Sequence, residues 1–146
     1  MARRILMAAA ATLLAGCVEA PTLAVDTPLL VFNTYPANGA TLDRADLGEL
    51  AITFSADIGP AEVARGAAAD HLVLRGGEGV VPLVADDRAN VGYDDATFTL
   101  RVALDPSTRD ALDPGNYDLT VGRGVEATDG RRLPTDYTVR FTVATR

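Results

Sequence analysis

The sequence predicts an all-β domain behind an N-terminal export segment, with seven short strands folded as a sandwich of two antiparallel sheets. Apolar and polar residues alternate with period two in several runs, most clearly in residues 117–121 and 137–143. Clusters of Gly, Pro, Asn and Asp separate those runs, as tight turns require. Only residues 60–65 read as helix in the folded part, with Pro60 at an opening position and Glu62 in the first turn.

Taken in chain order, residues 1–16 read as a signal peptide. Arg3 and Arg4 form a basic region, residues 5–14 an apolar run rich in Ala and Leu, and Ala15 and Gly16 the small residues before a cleavage point between Gly16 and Cys17. A membrane-spanning helix needs about 20 apolar residues, and Gly16, Glu19 and Pro21 stop this run well short of that. The segment Leu14-Ala15-Gly16-Cys17, closed by the only cysteine, resembles the lipobox of bacterial lipoproteins. That resemblance implies that Cys17 carries covalent lipid such as palmitate and becomes the first mature residue. Each buried methylene contributes about 0.8 kcal/mol, so a multiply acylated cysteine anchors stably. Val18 follows where an acidic residue looks like an inner-membrane retention signal, which favours the outer membrane in a Gram-negative host. Residues 17–28, with two prolines and two acids after the cysteine, then form a tether, and residues 29–146 the domain.

The seven strands are expected at residues 29–35, 50–55, 71–75, 80–85, 97–102, 117–121 and 137–143. Leu50, Ile52 and Phe54 alternate with Ala51, Thr53 and Ser55, and Phe98, Leu100 and Val102 alternate with Thr97, Thr99 and Arg101. Tyr117, Leu119 and Val121 form the next apolar face, and Tyr137, Val139, Phe141 and Val143 the last. Pro82 cannot donate a ladder hydrogen bond, which places its strand at a sheet edge.

Seven such strands in about 100 residues fit an immunoglobulin-like sandwich with Greek-key topology. Leu112, Pro114, Gly115 and Tyr117 form a Leu-x-Pro-Gly turn with a tyrosine at the following strand start, the pattern of a tyrosine corner. Several further segments resemble the bacterial Ig-like domains of S-layer and other surface proteins. They are Pro36-Ala37-Asn38-Gly39-Ala40, the strand from Leu50 to Ser55 with the turn Ile58-Gly59-Pro60, the Leu112 to Val121 segment, Asp129-Gly130, and the closing strand from Tyr137. The resemblance covers residues 30–144 and implies a structural or binding module in place of a reaction.

Charge and chemistry restrict the partners. All 13 basic residues are arginines; removing Arg3 and Arg4 and setting the rest against 20 acidic residues leaves a mature net charge of −9. Such a surface repels nucleic acid, whose binding rests on clustered cations. With Cys17 acylated, no disulfide, thiolate zinc site or thiol nucleophile remains. His71, the only histidine, is placed by strand phase on an exposed face with Val73 and Arg75. Neither Ser55 nor Ser107 lies in a nucleophile elbow, so no Ser-His hydrolase is expected. Gly76-Gly77-Glu78-Gly79 lacks the Lys-Ser/Thr and following helix of a phosphate loop and reads as a hairpin turn. Asp86, Asp87, Asn90, Asp94 and Asp95 crowd one loop and are the calcium candidates, although their order is not that of an EF-hand. Tyr93, beside Gly92, reads as a loop aromatic and the candidate platform for a surface glycan. The expectation is a non-enzymatic, lipid-anchored envelope protein without cofactor, bound to the membrane and to another envelope protein. The alternative is a carbohydrate-binding or calcium-dependent adhesive module.

Overall fold

The computed structural model describes residues 27–144. They form nine strands: β1 (Val31–Tyr35), β2 (Thr41–Asp43), β3 (Glu49–Phe54), β4 (Leu72–Gly76), β5 (Gly79–Val81), β6 (Val91–Asp94), β7 (Thr99–Ala103), β8 (Gly115–Val121) and β9 (Tyr137–Ala144). Two α-helices, α1 (Ala61–His71) and α2 (Pro106–Asp110), and a 3-10 turn at Arg44–Asp46 complete the set. One sheet has the order β1-β3-β7-β6 and the other β2-β9-β8-β4-β5. All ladders are antiparallel except β2 with β9, which is parallel.

The facing sides of the sheets make the core. Leu50, Ile52 and Phe54 of β3 and Leu100 and Val102 of β7 meet Leu74 of β4, Leu119 of β8 and Val139 and Phe141 of β9, all nearly inaccessible to water. Period-two alternation places these residues on one face of each strand. The outer faces carry ion pairs: Arg140 of β9 grips its cross-strand neighbour Asp118 of β8 with two hydrogen bonds of 2.7 and 2.9 Å. That contact holds the Asp118 carboxyl below its ordinary range.

The structure corrects the sequence in several places. Nine strands replace seven because β2 and β6 were not legible: Thr-Leu-Asp and Val-Gly-Tyr-Asp are short and hold residues poor in strand propensity. The expected strand at 80–85 shrinks to Gly79–Val81, with Pro82 just beyond it and β5 at the sheet edge. The helix runs eleven residues instead of one turn, because Ala67, Ala68 and Ala69 extend it at low cost while Ala64 and Ala68 bury one narrow stripe. It ends where Leu72 turns extended, so His71 closes α1 and does not open a strand. The side chain of His71 is half-buried, its ring against the backbone of Gly124. Tyr137, expected in the core, is 37% exposed, and Phe32, on β1 at a bulge, is 70% exposed.

Tyr117 joins β8 to its neighbours. Its ring stacks on Phe141 with centroids 5.8 Å apart and planes at 19°, and its other flank covers Gly76 of β4. A methyl group at residue 76 would come within 2.4 Å of the Tyr117 ring, so only glycine leaves room there. Gly76→Val should therefore lower unfolding stability by about 1–3 kcal/mol as an overpacked core does. At Gly48, a Cβ meets nothing within 4 Å, and Gly48→Ala should be almost neutral. Urea midpoints of the two variants check the contrast; equal midpoints would remove the close-approach explanation.

Candidate functional site

Among the described residues a groove of about 730 Å³ lies between the β4–β5 hairpin and the segment from α2 to the start of β8. The hairpin contributes Gly76, Gly77, Glu78 and Val81, and the facing side contributes Ser107, Ala111, Leu112 and Asp113. Tyr117 belongs to both sides, with its ring over Gly76 and its hydroxyl donating to the Asp113 carbonyl at 2.8 Å. Burial, and then the nearby Asp113 carboxylate, push the Tyr117 phenol above its ordinary range, so it stays a neutral donor. Leu112 is buried beneath the turn, and Pro114 and Gly115 lead the chain into β8.

The α2 side is fixed by Asp105. Its carboxylate accepts the backbone N–H groups of Ser107 and Thr108 at 2.8 and 3.2 Å, and the hydroxyls of the same residues at 2.5 and 2.6 Å. This is a helix N-cap, and the hydroxyl bond from Ser107, followed by that from Thr108, holds the carboxyl far below the usual carboxylate range. The Ser107 hydroxyl thus donates to a cap. Ser55 Oγ accepts the Leu30 N–H at 2.9 Å. Among the described residues neither serine is hydrogen-bonded to His71, and no nucleophile, base and orienting carboxylate come together.

The calcium candidates lie on β6 and on the chain either side of it. Asn90 is spent on the backbone: its amide nitrogen donates to Leu83 and Ala103 carbonyls at 2.7 and 2.8 Å, and its oxygen accepts Ala85 N–H at 2.9 Å. Asp87 caps Ala89 and Asp94 caps Ala96. The Asp94 carboxyl is held low first by the Thr97 side chain and then by Ala96 N–H. Asp86 and Asp95 are exposed, and among the described residues no three His, Cys, Asp or Glu side chains gather around a possible ion. Tyr93 is likewise no free platform. It lies on β6, its hydroxyl donating to Asp57 at 2.8 Å and accepting Ile58 N–H at 3.0 Å. The most exposed aromatic ring among the described residues is instead that of Phe32, ahead of Tyr35 and Tyr137. Gly16 and Cys17 lie outside the described residues, and no helix among those described is long and apolar enough to cross a membrane.

A sequence model of the bacterial Ig-like domain matches residues 25–143. The chain belongs to the bacterial Ig-like domain family. No curated protein matches the sequence. Among solved structures, the native conformation of Escherichia coli alpha-2-macroglobulin aligns over 82% of this chain with a TM-score of 0.52 and 19% identity. A crystal structure of the same E. coli protein spanning domains MG0-NIE-MG1 also aligns over 82%, with a TM-score of 0.51 and 17% identity. This chain spans only 6% and 33% of those two chains, and at such identity the likeness is one of fold.

Within this Ig-like domain, sequence reading missed the groove although both of its walls were noticed. The glycine run 76–79 read as a hairpin and the Leu-x-Pro-Gly turn as a corner; nothing local in either says that they face each other.

Tyr93 generates a pH prediction. Burial, the largest influence, and the Asp57 carboxylate push its phenol from 10 up to about 12. Folding therefore favours the neutral phenol, and this contribution is complete below pH 10 and lost as pH rises through about 12. Tyr93→Phe should cost about 1 kcal/mol at pH 7 by leaving Ile58 N–H without its acceptor. Between pH 10 and 12 the variant should lose stability less steeply than the parent, which urea titrations across that window would show.

Proposed function

We propose that this is a non-enzymatic, lipid-anchored protein of the bacterial cell envelope, whose Ig-like domain acts as a structural or protein-binding module. The observation that carries the reading is how the candidate catalytic groups are used: Ser107 serves a cap, Ser55 holds a loop and His71 packs on Gly124. What is left open is a groove, and grooves bind. The order β1-β3-β7-β6 against β9-β8-β4 supports a Greek-key sandwich, flanked here by β2 and β5. In this reading Tyr117, with Leu112, Pro114 and Gly115, is an architectural tyrosine corner.

The surface context follows from the family and from the lipobox-like run ending at Cys17. The outer membrane is the compartment that Val18 favours if the host is Gram-negative. Two of the residues behind the glycan and calcium alternatives are otherwise engaged, since Tyr93 is bonded to Asp57 and Asn90 to the backbone.

Cys17→Ser keeps the size of the side chain and removes the acyl-accepting thiol. The variant should move from the detergent phase to the aqueous phase on temperature-induced separation and should lose incorporated palmitate. Retention of the variant in the detergent phase to the same extent as the parent sinks the anchor. A hydrolase screen of the parent that found turnover abolished by His71→Ala would overturn the non-enzymatic reading.

A further inference from the structure

We propose that the groove binds an extended, cationic polypeptide segment that adds to the free edge of β5. This deepens the protein-binding reading above and rests on it. Three features of the groove point to that one occupant.

The first is the edge. β5 ends its sheet, bonded to β4 on one side only through the pairs Leu74–Val81, Arg75–Val80 and Gly76–Gly79. Its other side offers unpaired backbone groups, the template for an added strand. Val80 beside that edge is 63% exposed, a large apolar side chain without cover. Pro82 then stops the ladder, so the pairing is short and directional.

Bare backbone is the second. Gly77, Gly79 and Gly115 line the groove, and a Cβ built on any of them meets nothing within 4 Å. An incoming main chain can approach without displacing side chains. Val81, opposite the buried Leu74, lines the groove together with the apolar residues Val80, Pro82, Ala111, Leu112 and Pro114.

The third is charge. Glu78 and Asp113 are the only ionisable acids or bases lining the groove besides Tyr117, and both are carboxylates. Arg75, the nearest cation on β4, pairs with Val80 and so lies on the opposite face from buried Leu74. An occupant with arginine or lysine on either side of a small apolar residue, at alternate positions, would set the apolar side chain on Val81 and the cations toward Glu78 and Asp113.

The test uses the full chain in detergent and three end-capped peptides: Arg-Thr-Val-Thr-Arg, Glu-Thr-Val-Thr-Glu, and the first peptide N-methylated at alternate residues. The cationic peptide should bind and shift the amide resonances of Gly77, Gly79 and Val81, while the acidic and N-methylated peptides should not. Glu78→Lys should weaken binding by about fivefold. Gly77→Trp should abolish it with an unchanged urea midpoint, since the new side chain enters open space. Equal binding of the acidic peptide, full binding of the N-methylated one, or amide shifts confined to other strands would overturn the assignment. Crosslinking in intact cells separates the two levels: products that persist in Gly77→Trp sink the groove alone, whereas a parent without any protein crosslink sinks the protein-binding reading itself.

Discussion

Tyr117 is the residue on which the remaining geometry turns, because one side chain satisfies three demands, two of them from distant parts of the chain. Its ring fills core volume against Phe141, covers the glycine of a neighbouring strand, and carries a hydroxyl to the Asp113 carbonyl at the turn before β8. Aromatic stacking of this kind contributes about 0.5–1.5 kcal/mol beyond burial. An aromatic ring over a cross-strand glycine also protects backbone that would otherwise be wet. The turn cannot shift without breaking the hydroxyl bond, and β4 cannot shift without striking the ring. One end of the groove between the hairpin and α2 is therefore set by a core side chain.

That arrangement explains the form of the hairpin wall. Gly76 is required by the ring, whereas Gly77 and Gly79 border empty space. A core requirement and an open surface thus occupy neighbouring positions in one short turn. The facing wall is equally determined, since Asp105 collects four donors from Ser107 and Thr108 and sets the first turn of α2. Both walls are positioned by contacts that have nothing to do with a ligand, as preorganised binding requires.

Legibility from sequence follows the range of the interaction. Strands β3, β7, β8 and β9 alternate cleanly because each buries one face and wets the other, so local pattern reports tertiary fact. The corner was also readable, because Tyr117 and Asp113 are only four residues apart. Beyond that range the signal fades. β2 exists through parallel pairing with β9, about a hundred residues away, and Thr41, Leu42 and Asp43 alone give no hint of it. Helix α1 buries only alanines, which carry almost no hydrophobic period, and its real end moved His71 from a strand face to a helix terminus. Tyr93 looked free beside Gly92 because its partners, Asp57 and Ile58, lie about 35 residues earlier.

The same residues show how loop side chains are used in this domain. Asp, Asn, Ser and Thr are good ligands and nucleophiles for the reason that makes them good caps: short side chains that place an oxygen near backbone N–H groups. In this domain the second use prevails at Asp87, Asp94, Asn90 and Asp105, and the Ser107 hydroxyl donates to the last of these. A sandwich with many short turns has many such N–H groups to satisfy, and the polar residues of its loops are consumed in doing so. Surface chemistry then falls to groups that no turn needs, which here means the carboxylate of Glu78, the apolar side chains of Val80 and Val81, and the free edge of β5. An acidic domain with an exposed apolar side chain beside the edge strand β5 presents a combination that the proposed cationic strand would complement in both charge and hydrogen bonding.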